Sequence, residues 1–214
     1  MKSTHVYFIR HGESQANERD AFIGHTDLNL TEKGHMQAEK TAEFLMGVDA
    51  DVIYSSDLIR AYHTAEHTAK MRGMAIIKSK NLREIYAGEW EGKTFFELEE
   101  DYADDYGVWL NNIGKAICNG GESVEDMAKR VIDEVEKIVA ENKGKTIFIF
   151  SHGTPIRVLK ASWEGKTLDE IKDVSWASNA SVTHVEYEED KVIIHSYSND
   201  SFLGDMATSL PDNV

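Results

Sequence analysis

The sequence predicts an α/β fold in which a mainly parallel sheet is covered by helices on both faces. Short apolar runs rich in β-branched residues recur along the chain, and segments with helical spacing separate them. Strands that alternate with helices are typical of parallel sheets buried on both sides. Residues 181–198 form two alternating runs around a charged turn, which predicts a C-terminal antiparallel hairpin.

The candidate strands of the parallel part are four apolar runs. They are residues 6–9 (VYFI), 51–56 (DVIYSS), 74–79 (MAIIKS) and 146–151 (TIFIFS). Each run is short and continuous, as expected for a strand that is covered on both faces.

Helical spacing of apolar residues predicts the long segments between these strands. They are residues 30–47, 56–73 and 122–144. Thr31 predicts the N-cap of the first helix, and Ser56 or Asp57 predicts that of the second. Ser123, three residues before Asp126, forms a weak capping box at the start of the third helix.

The chain of 214 residues has no linker rich in Pro, Gly or Ser, so we interpret residues 1–214 as one domain. Residues 93–121 are the least regular stretch, with aromatic side chains among many carboxylates. We interpret this stretch as an inserted, partly helical cap. The alternative is a solvated surface helix.

Composition narrows the choice of partners. The formal net charge of −15 disfavours nucleic acid and anionic membrane surfaces, because both are bound through clustered Lys and Arg. No apolar run approaches the ~18 residues of a membrane helix. Cys118 is the single cysteine, so no disulfide can form within the chain, and we expect a reducing, cytoplasmic location.

Polar side chains follow every strand of the parallel part. Arg10 and His11 come directly after the first strand, and Arg60 lies one helical turn beyond the second. Glu84 follows the third strand after a short gap, and His152 follows the fourth. Ligands of open α/β sheets bind outside the carboxyl ends of the strands, so we expect these five side chains to converge there.

These residue types suit phosphoryl transfer. The transferring group carries charge on its oxygens, and arginine binds such oxygens through paired donors. A neutral imidazole can attack phosphorus when one ring nitrogen is free and the other is tied to a group such as a backbone carbonyl. Glu84 is a candidate acid for the leaving oxygen, because a carboxyl group beside a phosphate dianion favours its protonated form. Gly12 would let the backbone approach closely beside His11.

Several segments together resemble the histidine phosphatase superfamily, also called phosphoglycerate mutase-like. The similarity runs in order from Val6 to about Arg157 and covers most of the chain. The matching segments are FIRHGES (8–14), YSSDLIRAYHTAE (54–66), LREIYAGEWEGKT (82–94), GGES (120–123) and FSHGTPIR (150–157). The resemblance implies a three-layer α/β/α sandwich with a mixed sheet, and an enzyme that needs no metal and no cofactor.

The resemblance also implies a role for each of the five residues. His11 would accept the phosphoryl group, and Arg10, Arg60 and His152 would surround its oxygens. Glu84 would act first as the general acid and then as the base that activates water.

Three further residues are candidates for binding phosphate or substrate. The resemblance implies that Asn17 donates a hydrogen bond to the phosphate or the substrate. Thr154 follows the second His-Gly pair, and His25 lies in a loop near the presumed entrance of the pocket.

The superfamily contains both phosphatases and cofactor-dependent phosphoglycerate mutases. Mutases resemble one another in an insertion with adjacent arginines, whereas residues 93–121 here contain only Lys93 and Lys115 as basic residues. Thr154 stands where mutases have Asn, and the residues after Glu84 resemble the phosphatase branch. We therefore predict a phosphomonoester hydrolase acting on a small phosphorylated metabolite, with a mutase as the alternative.

The acidic stretch has two interpretations. If its carboxylates face the pocket, they disfavour a bisphosphate, and aromatic side chains there would stack on an uncharged leaving group. Otherwise the acids form a solvated face and the aromatics belong to the core. The carboxylates are Glu97, Glu99, Glu100, Asp101, Asp104 and Asp105, and the aromatics are Tyr102, Tyr106 and Trp109.

Two other classes of protein are alternatives. His63, Glu66 and His67 match the H-x-x-E-H pattern of zinc peptidases, in which two histidines share one helix face. No distinctive third ligand accompanies them, and the segment RAYHTAE already resembles the phosphatase helix. A catalytically inactive binding module is disfavoured, because all five core residues are present. The oligomeric state is open, although an edge hairpin allows a homodimer.

Overall fold

In the computed structural model, which describes residues 3–189 and 191–208, the chain forms a mixed six-stranded sheet between helices. The strand order is β3-β2-β4-β1-β5-β6. The strands are β1 (Thr4–Arg10), β2 (Val52–Ser56), β3 (Ile76–Ser79), β4 (Thr146–Ser151), β5 (Val182–Tyr187) and β6 (Val192–Asn199). The helices are α1 (Glu32–Leu45), α2 (Ile59–Arg72), α3 (Phe95–Asp101), α4 (Ala103–Asn111), α5 (Val124–Glu141) and α6 (Gly153–Trp163).

The first four strands pair in parallel, whereas β5 runs antiparallel to β1 and β6 antiparallel to β5. The α/β class, the parallel part and the C-terminal hairpin are therefore confirmed. No helix in the described part of the chain has both the length and the apolar character needed to cross a membrane.

Separate apolar cores lie on the two faces of the sheet. On one face, Ile9 and Phe148 pack with Leu45 of α1 and Ala65 of α2. On the other face, α5 and α6 join a larger core that includes Phe8 and the aromatic residues before α5. This arrangement is the three-layer α/β/α sandwich, and burial on both faces explains why the central strands are continuous apolar runs.

Helix α1 begins at its predicted cap, but α2 does not. Thr31 accepts a hydrogen bond from the backbone of Gly34, as its position before the helix predicts. Helix α2 starts later than predicted, at Ile59, whose backbone N–H donates to Asp27 Oδ1 at 2.6 Å. Asp57 instead pairs with Arg83, with both of its carboxylate oxygens accepting hydrogen bonds.

The helix α5 also begins at its predicted cap, and the helix α6 was not predicted. Ser123 Oγ accepts from the backbone N–H of Asp126 at 3.0 Å, and it donates to the Asp126 carboxylate rather than forming a full capping box. Helix α6 starts directly after His152 and is mostly buried, so its sequence lacks the polar face that marks an amphipathic helix.

The stretch 93–121 folds into α3, α4 and a short 3-10 turn. Its six carboxylates are all exposed, whereas Tyr106 and Trp109 are buried against Trp90. The acids thus form a solvated face, as in the second of the two interpretations, and Tyr106 belongs to the core. Whether the stretch acts as a cap stays a prediction.

Two glycines let α1 pack against the loop that follows β1. A Cβ atom on Gly12 would lie 2.5 Å from the carbonyl oxygen of Gly34, and one on Gly34 would overlap the backbone of Glu13. Gly12 is therefore required for close approach, as predicted, and the partner is the first turn of α1. This contact fixes the backbone beside His11.

Candidate active site

A cavity of about 190 Å³ opens at the carboxyl end of the parallel strands. Four of the five predicted catalytic residues line it, namely Arg10, His11, Arg60 and Glu84. The fifth, His152, is fully buried and does not itself line the cavity, but its ring centroid lies 5.1 Å from that of His11. The sheet therefore brings all five side chains together at one edge.

The ring of His11 is held in one tautomer. Its Nδ1 lies 2.7 Å from the carbonyl oxygen of Gly12. Because a carbonyl oxygen only accepts, Nδ1 carries the proton and Nε2 keeps its lone pair. Burial lowers the pKa of His11 well below its usual value, and the neighbouring guanidinium groups of Arg60 and Arg10 lower it further. His11 is thus a neutral imidazole with a free basic nitrogen.

His152 is a second neutral imidazole beside the first. Its Nε2 lies 2.8 Å from Ser56 Oγ, at the end of β2. Burial and the charge of Arg60 lower its pKa well below the usual value. Among the described residues, its buried Nδ1 has no hydrogen-bond partner. A buried ring nitrogen without a partner is available to bind a polar group of the substrate.

Backbone carbonyl groups hold both arginines. Arg10 donates from Nη1 to the carbonyl of Ala177 at 2.6 Å, and its buried Nε has no partner within the described residues. Arg60 donates to the carbonyls of Gly24 and Thr26 at 2.7 and 3.1 Å. Burial lowers the pKa of Arg60 to about 10, with Glu84 opposing the shift, so Arg60 remains charged at neutral pH.

Glu84 lies in the loop after β3 and accepts two backbone hydrogen bonds. Its oxygens accept from the N–H groups of Ile85 and Thr154 at 2.8 and 3.2 Å. Arg130 donates to the carbonyl of Glu84 at 2.8 Å and forms a bidentate pair with Glu122, the glutamate of the GGES segment. The loop is therefore fixed by Arg130 of α5 and by Glu122, neither of which was predicted as a site residue.

A second carboxylate, Glu91, organises the loop that holds Arg60. Its oxygens accept from the backbone N–H groups of Gly24, His25 and Thr26, at 3.1, 2.6 and 3.2 Å. Sequence reasoning missed this residue, although it lies in the recognised segment GEWEG. Glu91 is a positioning residue, since it contacts the loop and not the cavity.

The three candidate binding residues differ in their position relative to the cavity. Asn17 and Thr154 line the cavity, but His25 does not. Contact of His25 with substrate stays a prediction; its Nε2 lies 2.9 Å from the carbonyl oxygen of Glu84 and its ring faces that loop. The Oδ1 of Asn17 accepts from Ser14, which leaves its NH₂ group as the donor.

Asn179 is a further cavity residue that sequence reasoning missed. It is fully buried, lines the cavity, and donates from Nδ2 to the carbonyl of His11 at 3.1 Å. The backbone N–H of Ala180, a residue with a φ of 58°, donates to the same carbonyl. No spacing pattern connects residue 179 with residue 11, so the contact follows only from the fold.

The zinc-peptidase pattern does not form a site in the described residues. His63, Glu66 and His67 lie on α2 outside the cavity, and Glu66 pairs with Lys70 at 3.1 Å. His67 faces His35, with the two ring nitrogens 3.3 Å apart. These three residues therefore belong to the surface where α1 and α2 meet, and the match to the zinc-peptidase pattern has no counterpart in the structure described.

A neutral imidazole with a free ring nitrogen, flanked by guanidinium groups and a carboxylate, is an arrangement suited to phosphoryl transfer. The sequence profile of the histidine phosphatase superfamily (branch 1) matches residues 6–200. The chain belongs to that superfamily. The predicted family and the predicted class of enzyme, a phosphatase, are confirmed by this match and by the relatives.

Three relatives illustrate the similarity. Phosphoserine phosphatase 1 of Hydrogenobacter thermophilus is 31% identical over 200 residues, covering 94% of each chain. The solved structure of Bacillus stearothermophilus YhfR is 30% identical, with a TM-score of 0.90 over 94% of this chain and 99% of that one. The mycobacterial glucosyl-3-phosphoglycerate phosphatase is 26% identical, with a TM-score of 0.85 over 93% of this chain and 100% of that one.

The substitution Glu91→Gln should weaken phosphate binding through Arg60. The new NH₂ group would face backbone N–H donors, and one such unmatched contact costs about 1–3 kcal/mol, or roughly tenfold or more in affinity. We expect KM for 4-nitrophenyl phosphate and the inhibition constant of inorganic phosphate to rise together. Glu89→Gln, at an exposed carboxylate of the same segment, is the matched control. Equal constants for both variants would contradict the role of Glu91.

The free energy of unfolding should decrease as the pH is lowered below about 6.5, because histidine in the unfolded chain becomes protonated there. The pKa values of folded His11 and His152 are lowered, so the unfolded chain binds more protons in this window and unfolding becomes easier. Each group contributes at most about 1.4 kcal/mol per pH unit.

Urea unfolding at pH 7.5 and 5.5 tests this expectation. The wild type should lose more free energy of unfolding between the two values than the variant His11→Asn, which lacks one of the titrating groups. The same loss in both proteins would show that His11 does not have a lowered pKa.

Proposed function

We propose that this chain hydrolyses small phosphomonoesters through a phosphohistidine formed at Nε2 of His11. The observation that carries the proposal is the fixed tautomer of His11, which leaves Nε2 unprotonated beside two buried guanidinium groups. A substrate phosphoryl group would supply the negative charge that Arg10 and Arg60 lack among their present partners, which are mainly carbonyl oxygens.

The first half of the reaction forms the phosphoenzyme. His11 Nε2 attacks phosphorus, and the bond between phosphorus and the ester oxygen breaks. The electron pair of that bond leaves with the alcohol oxygen, which takes a proton from Glu84. Arg10, Arg60 and the Nδ1 of His152 would donate to the phosphoryl oxygens as charge builds on them.

The second half returns the enzyme to its starting state. Glu84, now a carboxylate, takes a proton from water while the water oxygen attacks phosphorus. The bond between phosphorus and Nε2 breaks, and inorganic phosphate leaves. The backbone N–H groups that bind Glu84 hold its carboxyl group in one place. The same group can therefore act as the acid in the first half of the reaction and as the base in the second.

The small number of cationic side chains around the cavity supports hydrolysis rather than mutase activity. Within the described residues, Arg10 and Arg60 are the Arg and Lys side chains that line it. Lys93 pairs with Asp101 at 2.9 Å and Lys115 pairs with Asp169 at 3.3 Å, and neither lines the cavity. A second phosphate would find no further cation among the cavity residues that the structure describes.

The aromatic walls of the cavity indicate a substrate whose leaving group has an apolar part. Phe22, Phe95, Trp109 and Trp176 line it, together with the exposed carboxylate of Asp20. Aromatic faces bind apolar and planar groups, whereas Asp20 disfavours a second anion. Relatives named for phosphoserine and alpha-ribazole are in keeping with a small phosphorylated metabolite as substrate.

A cytoplasmic location remains part of this proposal. It is supported by Cys118, which is buried and is the single cysteine of the chain. A homodimer formed through the edge hairpin stays a prediction, to be measured by light scattering.

The substitution Glu84→Gln should slow phosphomonoesters with poor leaving groups most. An alkyl oxygen needs the proton in the transition state, so its rate should fall by about 10²- to 10⁴-fold, whereas 4-nitrophenyl phosphate should fall less. Both rates are measured by phosphate release in the presence of EDTA. Equal slowing of the two substrates would refute the role of Glu84 as the acid.

His11→Ala is the companion variant for the nucleophile. It should lose nearly all turnover and should form no phosphoenzyme, whereas wild type and Glu84→Gln should both be labelled by a radioactive phosphate ester. The quench must be alkaline, because the phosphorus–nitrogen bond breaks in acid. Labelled His11→Ala would place the nucleophile elsewhere.

The substitution Asp20→Asn should relax selection against bisphosphates. Asn tolerates the left-handed backbone found at residue 20, where φ is 50°, so the loop should keep its shape. Removing one exposed charge should raise kcat/KM for a sugar bisphosphate by roughly two- to fivefold and leave that for 4-nitrophenyl phosphate unchanged. Glu18→Gln, an exposed carboxylate outside the cavity, is the control. No change in the ratio would mean that Asp20 does not select substrate.

A further inference from the structure

A cluster of three histidines lies far from the active site. His5 of β1, His184 of β5 and His195 of β6 each offer a ring nitrogen, and these three atoms lie within 4.8 Å of one another. His5 precedes His11 by six residues of extended chain, which corresponds to roughly 20 Å. The cluster is therefore a second constellation of ligand atoms, independent of the phosphoryl site.

An irregularity in the sheet places His195 in this cluster. His184 pairs with Ser196 and Val185 pairs with Ile194, so His195 has no partner across the ladder. A residue inserted in this way is turned out of the regular alternation of side chains. The ring of His195 stacks on that of His184, with centroids 4.5 Å apart and planes 18° apart.

Two of the nitrogens already have a spacing suited to a shared ion. His5 Nδ1 lies 3.1 Å from His184 Nε2. Two nitrogens that bind one tetrahedral zinc ion at ~2.1 Å lie ~3.4 Å apart. Without an ion, one nitrogen donates its proton to the other, and a bound cation would replace that proton. The side chain of His195 is 41% exposed, and one of its ring nitrogens lies within 4.8 Å of the ligand nitrogens of the other two histidines.

Glu186 stands behind two of these rings. It accepts from His195 Nε2 at 2.8 Å, and its other oxygen lies 4.0 Å from His5 Nε2. Nε2 of His195 is thus bound to the carboxylate, and its Nδ1 remains for a cation. Histidine ligands of metals commonly donate their other ring N–H to a carboxylate in this way.

We propose that His5, His184 and His195 bind one divalent transition cation, best matched by zinc, with Glu186 orienting His195. Three imidazoles suit zinc, and water would complete a tetrahedral shell. The ion would join three adjacent strands, including the edge strand β6. Its effect should be on stability, since the cluster is remote from the cavity.

Zinc binding to untagged protein, stripped with EDTA and desalted, tests the proposal. Isothermal titration with zinc chloride should show one ion per chain in the wild type. In His195→Gln, and separately in His5→Gln, affinity should fall at least tenfold. Zinc should raise the melting temperature of the wild type but not of either variant. His11→Asn, in which the cluster is intact, is titrated in parallel: zinc bound at His11 would be lost in this variant, whereas zinc bound by the cluster should be unchanged.

The double variant His35→Gln/His67→Gln is the matched control. It removes two histidines whose ring nitrogens lie 3.3 Å apart on the α1–α2 surface, and zinc binding should be unchanged. Hydrolysis of 4-nitrophenyl phosphate at the wild-type rate shows that each variant is folded. The proposal is overturned if the wild type binds no zinc under these conditions, or if His195→Gln and His5→Gln bind it as tightly as the wild type.

Discussion

The active site depends on the burial of positive charge beside two neutral imidazoles. Arg60 is almost fully buried, and Arg10 and His152 keep buried nitrogen atoms without partners in the described chain. Desolvated charge of this kind is costly to maintain in a protein whose net charge is otherwise −15. A phosphoryl dianion relieves that cost, so the same feature that strains the free protein favours the bound substrate. Burial lowers the pKa of His11, the same guanidinium charges lower it further, and the imidazole therefore stays unprotonated.

Rigid backbone contacts maintain this arrangement. Carbonyl groups of two different loops hold the guanidinium groups, and Glu91 and Arg130 in turn hold the loops that carry Gly24 and Glu84. A preorganised site loses little free energy in reorganisation when charge develops in the reaction. The supporting contacts are therefore as much a part of the chemistry as the residues that line the cavity.

The sequence predicted those features that follow from strand ends. Arg10, His11 and His152 come directly after apolar runs, so the parallel sheet alone brings them to one edge. The supporting residues were not predictable in this way, because Glu91 and Arg130 bind backbone groups far away in the chain, and such contacts leave no periodic signal. The start of α2 was placed too early because Ser56 and Asp57 are good caps in isolation, whereas Ser56 binds His152 and Asp57 binds Arg83. The contact of the His25 ring with the carbonyl of Glu84 was not predictable either, because the two residues are far apart in the sequence.

The irregular pairing at His195 has a consequence for association between molecules. Strand β6 is one of the two edges of the sheet, and an unpaired edge is a template on which another chain can add a strand. The extra residue interrupts the regular row of backbone donors and acceptors that such addition requires. The opposite edge, β3, is only four residues long. Both borders are thus poor starting points for the repeated strand addition that builds fibrils.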